Sequence, residues 1–159
     1  MMETEPLTVG PDDSVFETVQ LLLRRKVTGV PVVDEDHRLL GMLSEKECIR
    51  ALIRAIHYRM PPSFVRDVMA RNPVTVTEET SILTLSDLFV NHDFRRIPVI
   101  RGERLVGQVT RIDLLRAAVQ VTRIDLLRAA VQVFRTAPSR QQAVLYLSAL
   151  DDRSSGPPG

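Results

Sequence analysis

The chain has 159 residues, 44% of them hydrophobic and 26% charged, with a net charge of +1. That length suits about one domain with its own buried core, and the near-zero charge excludes an extended basic surface for nucleic acid or a polybasic membrane patch. The lone cysteine, Cys48, excludes an internal disulfide and a multi-cysteine zinc site, and with it the expected compartment is a reducing cytoplasm. No apolar run approaches the roughly 18 residues of a membrane span, and the acidic start carries no apolar segment of the signal-peptide kind. Aromatic residues are only 4%, with no Trp, so stacking platforms for single-stranded nucleic acid are poorly supplied.

In chain order, Leu7-Thr8-Val9 reads as a short extended segment ended by Gly10-Pro11. Asp12, Asp13 and Ser14 are candidate helix caps, and Glu17 completes a capping-box pattern with Ser14. Val15, Val19, Leu22 and Leu23 follow at helical spacing, and the helix is expected to end near Lys26. Val30 to Val33 reads as a buried strand, Asp34 to His37 as a turn, and Arg38 to Leu43 as a second strand. Ser44 opens the next helix with Glu47 three residues on, and Ile49, Leu52, Ile53 and Ile56 supply its expected apolar face. Met60-Pro61-Pro62-Ser63 breaks the chain, and Val65 to Met69 reads as a helical turn.

The same order then returns. Val74 to Val76 is extended and Ser81 to about Asn91 is helical. Arg96 to Ile100 and Arg104 to Val109 form a hairpin with Gly102 in its turn. Thr110 caps the final helix, with Asp113 three residues on. A shift of 67 positions lays Met2 on Met69, Thr8-Val9 on Thr75-Val76, Ser14 on Ser81 and Pro31-Val32 on Pro98-Val99. One residue is lost in a turn, and a shift of 66 then lays Gly41 on Gly107 and Arg50-Ala51 on Arg116-Ala117. Each unit of roughly 55 residues is small for a stand-alone domain. Two units packed through their sheets are expected to share one core.

VRDVMARNPVTV with FRRIPVIRGERLVGQVTRIDLLRA in the second half, and TEPLTVGPDDSVFETVQLLL with VTGVPVVDEDHRLLGMLSEKECIRAL in the first, resemble CBS domains. The tandem pair resembles a Bateman module of the stand-alone bacterial type, over about residues 2–120. The resemblance implies an α/β (α+β) fold of two β-α-β-β-α repeats packed through their sheets with pseudo-twofold symmetry. With it go the expected boundaries: residues 1–60 as repeat one, 61–120 as repeat two, and 121–159 as a helical extension and tail. It also implies a non-catalytic regulatory module that binds AMP, ADP, ATP or a related adenine nucleotide, needs no cofactor, forms a homodimer and acts on a protein partner. Neither nucleic acid nor membrane is an expected partner. A ligand-free dimerisation scaffold is the alternative.

In the family, the ribose and phosphate are met by a Gly-h-x-Ser/Thr-x-x-Asp word, where h is hydrophobic. The second repeat carries it as Gly107 to Asp113, with Gln108 departing at the h position and Thr110 and Asp113 matching. A helix N-terminus there favours an anion. Arg95, Arg96 and Arg111 are candidates to offset phosphate charge. By the resemblance, backbone groups near Val74 and Thr75, with apolar Ile97, would hold the adenine. The first repeat carries Gly41 to Glu47, with Ser44 matching and Glu47 in place of the Asp. The same Ser/Thr-x-x-Asp/Glu spacing also serves as a plain capping device worth about 1 kcal/mol.

His37, His57 and His92 read as solvated surface residues, Cys48 as a buried structural thiol, and Arg24-Arg25-Lys26 as a helix end. No nucleophile–base set, phosphate-binding loop or dinucleotide fingerprint is apparent. Val109 to Gln120 and Val121 to Gln132 are the same twelve residues, VTRIDLLRAAVQ. The first copy, preceded by Gly107, is expected to keep the repeat's register. The second is expected to prolong the helix to about 25 residues with its apolar face turned by about 120°. Pro138-Ser139 stops that helix, Val144, Leu147 and Leu150 suggest a short further one, and a disordered tail follows from Arg153.

Overall fold

Residues 5–61 and 63–136 are described by the computed structural model, with side chains through residue 129. The expected features from Pro138 onward lie outside the described residues.

Helix α1 (Val15–Arg25) starts after Ser14 in extended conformation and ends where Lys26 turns left-handed at φ 53°. The expected capping box with Glu17 does not form, because the Ser14 side chain makes no capping hydrogen bond. The linker meets this helix start instead: the Val15 N–H donates to Ser63 O at 3.0 Å, and Ser14 bridges to Phe64. Strands β1 (Gly29–Val33) and β2 (Leu39–Ser44) pair antiparallel, with Gly29 opposite Ser44 and Pro31 opposite Met42. Val9 joins β1 through a single parallel bridge to Val32.

Helix α2 (Glu45–Tyr58) buries Cys48 and Ala51 and leaves Ile49, Ile53 and Ile56 exposed at 55%, 61% and 77%. The expected apolar face is therefore mostly turned outward. Leu23 on α1 likewise stands 73% exposed, while Thr18 is buried and donates its hydroxyl to Ser14 O. The single turn α3 (Val65–Val68) leads into β3 (Ala70–Arg71), which adds to β2 beside Gly41 and Met42. Sequence periodicity gives no sign of this two-residue strand. It explains Gly41: a Cβ there would sit 2.7 Å from the Ala70 carbonyl oxygen and 2.9 Å from Met69 Sδ.

The second repeat follows the first closely. Helix α4 (Ile82–Asn91) is capped by Ser81, whose side chain accepts from the Thr84 N–H. Strands β4 (Arg96–Arg101) and β5 (Arg104–Thr110) form the hairpin, with Gly102 at φ 64° in the turn. Val76 bridges to Val99 as Val9 does to Val32, and the register breaks at Val99/Ile100 as it does at Val32/Val33. The hairpins touch through reciprocal backbone bonds: Leu39 N–H to Glu103 O and Leu105 N–H to His37 O, both 3.0 Å.

The expected single core is instead two. Val9, Val15, Leu22, Val30, Val32, Leu43 and Cys48 of the first repeat cluster with Val65 and Met69 from the start of the second. Val76, Leu85, Phe89, Ile97, Val99 and Val109 cluster in the second. The physical reason lies in strand alternation. Val30 and Val32 of one hairpin, and Ile97, Val99 and Val109 of the other, belong to these clusters, leaving Gly29, Pro31, Met42 and Ser44, and Arg96, Pro98, Gln108 and Thr110, on the opposite face. Pro31 and Pro98 are buried on that face, and Met42, Ser44, Arg96 and Pro98 line the cavity described below.

The chain divides into compact units at residues 1–114 and 115–159. Helix α5 (Arg111–Thr136) is 26 residues long, about 39 Å at 1.5 Å per residue. The first copy of the duplicated segment keeps the register, because Gly107 pairs with Val99 and Thr110 precedes the helix. The second copy is helical, and its Thr122 hydroxyl donates to Ala118 O. Ile112, Leu115 and Val119 from the first copy, and Val121, Ile124, Leu126 and Leu127 from the second, are all exposed.

Candidate functional site

A cavity of about 370 Å³ opens between the two hairpins, within residues 1–114. That is in the range of small-molecule sites. One wall comes from the first repeat: Thr28 and Gly29 at the start of β1, Met42 on β2, and Ser44 to Glu47 at the start of α2. The other comes from the second: Val74 in the extended segment, Asp93 to Arg95 before β4, and Arg96 and Pro98 on β4. Gly29 lets β1 lie close against β2. A Cβ there would already lie 3.0 Å from Leu43 O and 3.2 Å from Ser44 Cα.

The cavity joins an apolar part, with Met42, Val74, Phe94 and Pro98, to a charged part. Lys46, Arg95 and Arg96 face Glu45, Glu47 and Asp93 there. Arg95 Nη1 lies 3.7 Å from Glu45 Oε1, both side chains more than half exposed, so this pair is weak and easily exchanged for a ligand anion. Asp93 is engaged by Arg111 at 3.3 Å.

Both Ser/Thr words form caps. Glu47 Oε2 accepts from the Ser44 N–H at 3.2 Å and from the Ser44 hydroxyl. Asp113 Oδ2 accepts from the Thr110 N–H at 2.9 Å and the Thr110 hydroxyl at 2.8 Å, and the Asp113 N–H donates back to Thr110 Oγ1 at 3.3 Å. Each carboxylate thus holds a helix start rigid and presents a hydroxyl beside it.

The sequence grouped Arg95 and Arg96 with Thr110 and Asp113. The cavity groups them with Ser44 and Glu47, and Thr110, Asp113, Arg111, Thr75 and Ile97 do not line it. Ile97 is 1% exposed and belongs to the core of the second repeat. Thr110 pairs with Arg96 across the hairpin, at the position where Ser44 pairs with Gly29. An arginine stands there in place of the first repeat's glycine. Thr28, Gly29, Lys46 and Phe94 line the cavity without having been singled out. Gly29 and Arg96 coincide under the 67-residue shift, and that contrast is the signal that marks them.

Burial pushes the Cys48 thiol up to about 11, and the neighbouring Glu47 charge adds to the rise. It is an inert core group rather than a nucleophile. His37, His57 and His92 are exposed. Among the described residues no three His, Cys, Asp or Glu side chains are grouped to hold a metal, and no helix is long and apolar enough to cross a membrane.

The CBS domain family model matches residues 1–54 and 65–120. YlbB, an uncharacterised protein of Bacillus subtilis, is 35% identical over 104 residues, covering 64% of this chain and 68% of YlbB. The uncharacterised protein MJ1225 of Methanocaldococcus jannaschii is 27% identical over 116 residues, covering 73% of this chain but only 40% of its own length. The crystal structure of CBSX2 in complex with AMP superimposes with a TM-score of 0.68 at 29% identity, covering 76% of this chain and 94% of that one; CBSX2 is a CBS-pair protein of Arabidopsis thaliana. Two repeats in order, each with its hairpin, bulge and capped helix, agree with those matches, and the chain belongs to the CBS domain family as a tandem pair.

Proposed function

We propose that this CBS pair is a non-catalytic regulatory module that binds an adenine nucleotide in the cavity between its hairpins. The carrying observation is the meeting of the α2 N-terminus, at Ser44 to Glu47, with Arg95 and Arg96 of the other repeat across one cavity. Helix N–H groups and guanidinium groups suit phosphate. The Ser44 hydroxyl and the Glu47 carboxylate suit ribose hydroxyls, and Met42, Val74, Phe94 and Pro98 suit a purine face. AMP bound to the similar CBSX2 supports this choice of ligand. Thr110, Asp113 and Arg111 are proposed as a second, weaker subsite, where Arg96 stands in the place of Gly29. Binding would act on a protein partner by differing in affinity for two states of the module.

The cytoplasm is the proposed compartment, in keeping with one buried thiol. A homodimer is the proposed assembly. Phe16 and Leu83, and Leu23 and Val90, are equivalent positions under the repeat, and all four are exposed. Apolar surface duplicated by the repeat suits a symmetric partner of the same kind. Calorimetric titration with AMP, ADP and ATP tests the nucleotide reading. Heat with at least one of them, accompanied by thermal stabilisation, supports it, and silence with all three removes it.

A further inference from the structure

We infer that Gln108 is a positioning residue that braces the Arg96 side chain at the cavity wall and so makes the site select phosphate-bearing nucleotides over the neutral nucleoside. The inference rests on the nucleotide reading above and adds to it a residue outside the cavity wall. Gln108 stands where the first repeat has the apolar Met42. A primary amide 4% exposed on a β-strand costs free energy unless it is hydrogen-bonded. The bond is there: Arg96 Nη1 donates to Gln108 Oε1 at 3.4 Å.

The register explains why they meet. Arg96 is opposite Thr110 and Pro98 is opposite Gln108, so Arg96 and Gln108 are diagonal neighbours on one face of the hairpin. Arg96 and Pro98 line the cavity, whereas Gln108 does not. Gln108 therefore acts through Arg96. A flexible arginine loses rotamer freedom when it binds an anion. One already braced by a buried amide has given up part of that freedom beforehand, so the phosphate gains more.

Arg95 cannot substitute: its side chain is 62% exposed and leans toward Glu45. Adenosine, which lacks the phosphate, has no use for the braced guanidinium. Its affinity is set by the purine and ribose contacts alone.

The test is the ratio of AMP to adenosine affinity, by calorimetry, in a double-mutant cycle. Arg96→Met is expected to lower the ratio about tenfold, the scale of one charge-assisted hydrogen bond. Gln108→Met, which copies the first repeat, is expected to lower it about threefold to tenfold with adenosine affinity unchanged. In the Arg96→Met background Gln108→Met is expected to change nothing further. Gln108→Leu, a second apolar replacement without an acceptor, should lower the ratio likewise if Gln108→Met fails to fold. A wild-type ratio in the Gln108 variants overturns the inference, as does an equal loss for both ligands or an undiminished Gln108 effect without Arg96. Wild-type protein that binds neither AMP nor adenosine removes the nucleotide reading itself, a separate failure.

Discussion

Ser44 and Thr110 hold the same place in the two repeats, each at the end of a hairpin and the start of a helix, each locked by a carboxylate three residues on. Their surroundings differ. Opposite Ser44 stands Gly29, and the space beside it is part of a 370 Å³ cavity. Opposite Thr110 stands Arg96, which reaches toward Gln108. The better match to the family word, Thr110 with Asp113, thus lies away from the cavity, and the poorer match, Ser44 with Glu47, lines it. A motif establishes a local turn and cap. Whether a ligand has room depends on the residue across the strand pair, which a linear word does not contain.

The comparison can be broken most severely by detaching β3, which pairs only with the first repeat's sheet. Gly41→Val would drive a side chain into the Ala70 carbonyl. A loss of about 3 kcal/mol is expected in urea unfolding. A wild-type midpoint would mean that β3 is not held against β2. The next largest effect belongs to Gly29→Arg, which gives the first repeat the residue of the second. It should reduce AMP affinity at least about thirtyfold, through loss of both space and orientation. Unchanged affinity would place the nucleotide elsewhere.

Much of the fold was legible because its signals are local. The Gly102 turn, the Ser81 and Thr110 caps and the breaks after Lys26 and Tyr58 each depend on a few adjacent residues. The face of α2 was not legible. Periodicity favours the bulky Ile49, Ile53 and Ile56, but Cys48 and Ala51 are the residues that join the core, where α2 meets α1, β2 and α3. The site was half legible. Ser44, Glu47, Arg95 and Arg96 could be named from sequence, yet their grouping depends on how one hairpin meets the other, a contact between residues roughly fifty apart. Helix α5 was readable through the duplication because nothing between Arg111 and Arg135 stops a helix.

Smaller changes sharpen the two-cleft contrast. Ser44→Ala and Thr110→Ala should each cost about 1 kcal/mol in thermal unfolding, as lost caps do. Only Ser44→Ala should also weaken AMP. Equal losses of binding would mean that both clefts are used alike. The smallest effect concerns Cys48, next to Glu47. Burial, with the Glu47 charge beside it, pushes its thiol up from an ordinary value of 9.0 to about 11. The raised value means that the folded state holds this proton longer than the unfolded state. The associated stability is present below pH 9 and is lost as pH rises through 11. Stability measured across that window should decline less steeply in Cys48→Ala, and an identical decline would mean that the thiol is not buried.

The nucleotide is proposed to lie against Ser44 and Glu47 rather than Thr110 and Asp113. Glu47→Gln and Asp113→Asn each keep a carbonyl to accept the capping hydrogen bond while removing the charge offered to ribose. In calorimetric titration with AMP, Glu47→Gln is expected to lose about tenfold in affinity and Asp113→Asn less than twofold. The reverse order would contradict the account, and so would equal losses in the two variants.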